Sequence, residues 1–241
     1  MRVGIMQPYF FPYLGHFALI DRCDEWIVFD VTQYTPKTWM NRNRILHPSS
    51  GAMWVTVPLA NSSRSILTRE AAVLDRERAL QSIRGQLSHY RRHAPHFADV
   101  VGLLQESFGT VPGDSLVALD TAALRAVCDY VGIEFRHRVC SELELDLPES
   151  PGPGGWAPAI ASALGASSYL NPAGGRDLFD PAEFQRLGVE LCFLEMEAFA
   201  YETGPFTFEP NLSILDVLMW NEPAAVRDAL RAARVTPSGD G

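Results

Sequence analysis

The chain's densest concentration of polar recognition groups is Gln33-Tyr34-Thr35-Pro36-Lys37-Thr38-Trp39-Met40-Asn41-Arg42-Asn43-Arg44. Its last four residues serve almost no hydrophobic purpose. Arg42 and Arg44 supply planar forks of donors that suit phosphate or carboxylate, and Asn41 and Asn43 add amides that fix orientation. Lys37 contributes a third positive charge, Trp39 an aromatic face and Gln33 a further amide. Of the 20 basic residues only Lys37 is a lysine, which reads first as a coding bias toward arginine. The bland alternative for the whole segment is a solvated turn anchored by its tryptophan.

A second cluster, Pro8-Tyr9-Phe10-Phe11-Pro12-Tyr13-Leu14-Gly15-His16, sets aromatic rings around prolines and a glycine. Such rings are rigid and unfavourable to leave in water, so they are either core or the lining of a pocket. Gly15-His16 at a helix start half-matches the H-x-G-H motif of adenylyl-transferring enzymes, where histidines meet phosphate at a helix N-terminus. Tyr13 stands at the motif's first position, and a purely structural histidine is the alternative. Asp30, at the end of a strand, reads as a general base, a metal ligand or a partner orienting Arg42 or Arg44.

Other candidates carry less. His89, His93 and His96 have part of a metal-ligand spacing, but Arg91 and Arg92 would repel a cation and no third ligand is evident; no metal is assigned. Cys23, Cys128 and Cys192 fall on apolar stripes and read as core. Cys140 is the one expected to be exposed, at a strand end, and as a nucleophile it would need a base such as His137. Glu209, Asn211, Ser213 and Asp216 lead into the last helices, with Ser213 an N-cap and Asp216 completing something like a capping box.

The elements that must position these groups follow from periodicity. Residues 2–7 read as a buried strand ending at Pro8. Phe17, Leu19, Ile20 and Cys23 recur at helical spacing, and residues 25–30 form a second strand. Strand, loop, helix and strand in so short a stretch is a βαβ signature, hence a parallel sheet. In open parallel sheets ligands bind beyond the carboxyl ends of the strands, so the loops 7–16 and 30–44 are expected to border one crevice. Residues 54–59 read as a strand, 75–108 as helical, 114–131 as a helix capped by Asp114 or Ser115, and 134–139 as a strand. Pro148-Glu149-Ser150-Pro151-Gly152-Pro153-Gly154-Gly155 is the clearest breaker. Helix at 157–164, strand at 168–170, a turn at 171–175, helix at 179–186, strand at 189–193 and helices at 212–220 and 223–233 complete the chain, with a frayed last half-dozen residues. The expected fold is α/β, a parallel-sheet, Rossmann-like core in one domain over 1–241, with a helical segment at about 75–131 and a candidate joint at 148–155.

The chain has 241 residues, 47% hydrophobic and 20% charged, with a formal net charge of −9. That balance disfavours nucleic acid and anionic membrane surfaces as partners. No run approaches the roughly 20 apolar residues of a membrane helix, and residues 1–6 lack the long apolar core of a secretory signal. The expected compartment is the cytoplasm, where four scattered cysteines are free thiols.

Met6-Gln7-Pro8-Tyr9-Phe10-Phe11-Pro12-Tyr13-Leu14-Gly15, with Asp30, Gln33-Tyr34, Trp39 and Asn41-Arg42-Asn43-Arg44-Ile45, closely resembles the hallmark of the WbqC-like proteins. Echoes continue through Thr56-Val57-Pro58-Leu59, Ser141-Glu142-Leu143, Gly174-Gly175 and Asn211-Leu212-Ser213-Ile214-Leu215-Asp216. The resemblance implies a bacterial biosynthetic protein of surface-glycan (O-antigen) or secondary-metabolite clusters, tailoring an activated intermediate. A transferase that moves an acyl or aminoacyl group from a carrier thioester, coenzyme A or a nucleotide-linked donor to an amine would suit such clusters. In that reading Arg42, Arg44 and Lys37 bind the anionic portion of a small or carrier-bound substrate, Gln7, Tyr9, Tyr13 and Trp39 shape the pocket, and Asp30, His16 or Lys37 takes part in the chemistry, with no cofactor named. The alternatives are a divergent nucleotidylyltransferase built on His16 and a non-catalytic binding subunit. Members of the family often carry a second acid where this chain has Val31, a lysine where it has Pro36 and a tyrosine where it has His16.

Overall fold

The computed structural model describes residues 1–149 and 151–239. The chain opens with β1 (Arg2–Met6), α1 (Leu14–Asp21) and β2 (Glu25–Val28). A hairpin of β3 (Arg42–Leu46) and β4 (Ala52–Thr56) follows, then a short pair, β5 (Leu59–Asn61) and β6 (Ala72–Val73). Helices α2 (Arg76–Leu87), α3 (Phe97–Gly109) and α4 (Leu116–Val131) precede β7 (His137–Val139). The remainder runs α5 (Gly152–Ala163), β8 (Ser168–Pro172), α6 (Pro181–Arg186), β9 (Glu190–Glu195), α7 (Ile214–Trp220), α8 (Pro223–Arg231) and β10 (Arg234–Pro237).

Six strands form the central sheet in the order β10-β9-β8-β1-β2-β7. Every neighbouring pair is parallel except the antiparallel edge pair of β10 and β9. This is the expected Rossmann-like α/β architecture, with the hairpins and α2 to α4 inserted between β2 and β7. The chain leaves β1 toward β2 and β7 and returns to β1's other side with β8 and β9. The order therefore reverses between β1 and β8, the place where such sheets leave a crevice for ligands.

Both faces of the sheet are covered, and period-two alternation decides what each strand residue meets. Val3, Ile5, Ile27, Tyr169, Leu191 and Phe193 are buried on the face that packs on α5 and α6. Trp26, Val28, Leu170, Cys192 and Leu194 join the larger core with α1, the inserted helices and the C-terminal helices. At the end of β2 the same alternation sends Phe29 to the first face and Asp30 to the second.

The structure corrects several expectations. Residues 42–44 are not a loop: Arg42 to Leu46 pair with β4 as a strand. The helical stretch 75–108 is broken after Leu87 by a 3-10 turn at Ser88–Arg92 and by Pro95. The breaker cluster leads directly into α5, whose first residues are Gly152 and Pro153; Ser150 within it lies outside the described residues. The final residues are not simply frayed, because Thr236 and Pro237 belong to β10, and Asp240 and Gly241 lie outside the described residues. Ser115 caps α4 as expected, its side chain accepting from the Ala118 N–H. Among the described residues no helix is long and apolar enough to cross a membrane.

Candidate functional site

Two cavities, the lobes of a candidate crevice, flank the turn that follows β8. One, of about 330 Å³, lies over the α5 face, bordered by Gln7, Tyr9, Phe29, Trp156, Asn171 and Phe179. The other, of about 500 Å³, lies against α1 and the segment after β9, bordered by Tyr13, Glu195, Glu197, Phe199, Tyr201 and Phe208. Pro172 and Gly174 line both. The lobes are therefore two sides of one wall, the turn that leaves β8. That turn is tight: a Cβ on Gly175 would lie 2.2 Å from Asn171 Nδ2. Asn171 is held by the Tyr169 hydroxyl, which donates to its Oδ1 at 2.9 Å.

Three of the sequence candidates, Gln7, Tyr9 and Tyr13, thus border the crevice. Burial raises the pKa of both tyrosines, with each hydroxyl kept un-ionised at neutral pH. The loop carrying them is clamped from outside. Asn43, buried on the inner face of β3, donates to the carbonyls of Phe10 and Phe11 at 3.1 and 2.8 Å. Ser213 Oγ donates to the Phe11 carbonyl as well, at 2.7 Å. Phe11 adopts φ +40°, unfavourable for a residue with a Cβ and held by these bonds. Asn43 is therefore a structural clamp, as is Asn41, which donates to the Val57 carbonyl and accepts from the Tyr34 hydroxyl.

Arg42 and Arg44 stand on the opposite face of β3, away from the crevice lining. The Arg42 guanidinium lies 4.0 Å from the Trp54 ring and that of Arg44 5.7 Å from Trp39. The two indoles are 5.3 Å apart and each is 40% exposed. Arg42 Nη2 donates to the carbonyl of Lys37, whose φ is +62°. Among the described residues no carboxylate pairs with Lys37, Arg42 or Arg44. The result is a preformed cationic and aromatic platform, joined to the crevice through backbone: the Arg44 carbonyl accepts from Ser213 N, and Ser213 bridges Tyr13. Gln33 is exposed and bridges Leu67.

The remaining candidates are placed elsewhere. Asp30, 1% exposed, accepts from the Ser141 N–H at 2.9 Å and the Ser141 hydroxyl at 2.6 Å. It ties β2 to the end of β7, faces a separate cavity of about 580 Å³ against α4, and orients neither arginine. The expectation of one crevice bordered by both loops fails: none of residues 30–44 lines either lobe, and the cavity that Asp30 faces shares no lining residue with them. His16 is fully buried among Trp26, Tyr9 and Phe17, both ring nitrogens are without a hydrogen-bond partner, and burial lowers its pKa to about 3. It is a neutral core residue out of reach of a phosphate. Cys140, expected at the surface, is buried and its thiol is pushed up to about 11, which removes it as a ready nucleophile. His89 is spent on the Gln86 carbonyl, and His96 lies between Asp99 and Glu222.

A model of the WbqC-like protein family matches residues 7–228, from the Gln7 loop into α8. The chain belongs to that family. It is also similar to the uncharacterized protein Rv1507c of Mycobacterium tuberculosis, 29% identical over 234 residues, or 97% of this chain and 99% of the relative. No solved structure matches it.

In this WbqC-like chain the residues that sequence reasoning missed come from the second half. Ser213 caps α7, accepting from Leu215 N, but Asp216 completes no capping box. It is buried and accepts from the Leu46 N–H and from the hydroxyls of Tyr90 and Tyr201, the latter at 2.9 Å. Burial raises its pKa while those bonds oppose the rise. Tyr201, which lines the crevice, is oriented by this network. Asn171, Trp156, Glu195 and Glu197 were missed because no local motif marks them; they come together only through the packing of α5, β8 and β9. The Asn171-Pro172-Ala173-Gly174-Gly175 turn was the available signal.

Proposed function

We propose that the protein is a group-transfer enzyme that brings an activated intermediate and a nucleophilic second substrate together in the β1/β8 crevice. The observation that carries this reading is the wall shared by the two lobes. A donor held beside Gln7, Asn171 and Trp156 and an acceptor held beside Tyr13 and Tyr201 would meet over the rim of that wall, at Pro172 and Gly174. Holding two reactants in register is itself a large part of catalysis of such transfers.

For an acyl donor linked through a thioester or ester, the nucleophile's lone pair adds to the carbonyl carbon. The bond from that carbon to sulfur or oxygen then breaks, and the proton lost by the nucleophile ends on the leaving group. Tyr9 and Tyr13, kept protonated by burial, are suited to donate a hydrogen bond to the charge that develops on the carbonyl oxygen. The Arg42, Arg44 and Lys37 platform suits the phosphates of a bulky donor such as coenzyme A or a carrier's phosphopantetheine arm. His16, buried in the core, leaves the nucleotidylyltransferase reading without its residue.

The test is thermal stabilisation by acyl-CoAs, phosphopantetheinyl thioesters and nucleotide sugars, followed by mass spectrometry of mixtures of the stabilising donor with candidate acceptors. One donor class should stabilise the protein, by about 2.7 kcal/mol at a hundredfold excess over its dissociation constant, and give a transferred product that Gln7→Ala reduces. Stabilisation with no product from any acceptor would favour a binding subunit and overturn the transferase reading.

A further inference from the structure

The larger lobe is lined by aromatic and acidic side chains. Four aromatic side chains, Tyr13, Phe199, Tyr201 and Phe208, border it together with Glu195 and Glu197, and no basic side chain is among its lining residues. The rings make a corner: Tyr201 and Phe208 stand at 88° with centroids 5.1 Å apart, and Phe199 and Tyr201 at 39° with centroids 5.7 Å apart. Rings set at steep angles around a volume of about 500 Å³ offer π-electron density from several directions.

Charge and hydrogen bonding point the same way. Glu195 is engaged by Arg176 at 2.9 Å and more loosely by Arg234 at 3.9 Å. Glu197 is exposed at the rim, and among the described residues no cation pairs with it. The Tyr201 hydroxyl donates to Asp216, so only its oxygen lone pairs are left for a ligand. An uncompensated carboxylate, aromatic rings and the lack of any basic side chain in the lining disfavour a free anion and complement an organic cation.

We infer that this lobe is an ammonium site, taking the protonated or alkylated amine of a substrate between the Tyr201, Phe208 and Phe199 rings with Glu197 as counter-charge. The inference deepens the transferase reading by naming the second substrate's class, and binding alone tests it. A positively charged nitrogen has no free lone pair, so the group caged here is a recognition handle, and the reacting nucleophile is another atom of the ligand or the same amine after it gives up its proton.

The experiment is calorimetric titration of the full chain at fixed ionic strength with choline, n-butylammonium and 3,3-dimethylbutanol, the neutral carbon analogue of choline. Choline or butylammonium should bind, with the neutral analogue weaker by about tenfold. Phe208→Leu and Glu197→Gln should each weaken the cation several-fold and leave the melting temperature near that of the parent. Since Tyr201 is tied to the core through Asp216, Tyr201→Phe serves as the control that keeps the ring, and it should retain most of the affinity. Equal affinity for the neutral analogue, no binding of either cation, or unchanged cation affinity in both Phe208→Leu and Glu197→Gln would overturn the proposal. Cation binding with no transferred product would leave this inference standing and sink only the transferase reading.

Discussion

At the residue scale, the meaning of a side chain depended on burial that composition does not reveal. The sequence offers His16 as a candidate phosphate contact and Asp216 as part of a capping box, yet both are fully buried. His16 has no partner, and its pKa falls from 6.5 to about 3. The unfolded chain therefore takes up the proton first as pH falls, so the stability tied to a neutral His16 is present above about pH 6.5 and drains toward pH 3, by roughly 1.4 kcal/mol per unit. Asp216, whose folded pKa is raised, contributes the opposite slope near its own range. Comparing urea unfolding of the parent and His16→Phe from pH 7 to pH 4.5 isolates the histidine: the variant should match or exceed the parent at pH 7 and lose less on acidification. Parallel curves would show that His16 does not titrate as the structure requires. Asp216→Ala should be far harsher, about 3–5 kcal/mol, because two tyrosine hydroxyls lose their acceptor in the core and Leu46 N keeps only the Tyr90 oxygen. A change in melting temperature of less than a few degrees would contradict that network.

At the element scale, β1, α1 and β2 were legible because apolar periodicity and the break at Pro8 are local properties. The Arg42 to Arg44 stretch was misread as a loop since its alternation, Arg42 and Arg44 out and Asn43 and Ile45 in, is visible only once β4 supplies a partner strand. The same pairing explains why Trp54 joins the arginines, a residue no local motif marks. Asn43 is the clamp of the Phe10–Phe11 turn, so Asn43→Ala should lower stability by about 2–4 kcal/mol and loosen the loop that carries Tyr9 and Tyr13. Hydrogen exchange of residues 9–13, unchanged in the variant, would count against the clamp. In the β8 turn, Gly175→Ala forces a Cβ against the Asn171 amide and should weaken crevice ligands more than it lowers the melting temperature. An alanine variant with parent affinity would show that Asn171 is not part of the site.

At the scale of the whole molecule, the sheet class was readable from the βαβ opening and the strand order was not. Which strand lies beside β1 is set by long-range packing, and β8 arrives there from more than a hundred residues away. That order decides where ligands go: it draws Gln7, Tyr9 and Tyr13 into the crevice, leaves Asp30 over a different cavity, and sets the arginine platform on an outer face. Gly174 offers the most direct test of the central claim that the two lobes are one site. It lines both, a Cβ there would meet no atom within 4 Å, and its backbone needs no glycine. A leucine at this position should obstruct the shared wall without disturbing the fold. Calorimetric titration of Gly174→Leu with whichever donor stabilises the parent, beside Arg42→Ala, is the deciding measurement. Gly174→Leu should keep the parent's melting temperature and lose at least about tenfold in donor affinity. Full affinity in Gly174→Leu together with its loss in Arg42→Ala would place binding on the platform and contradict the crevice.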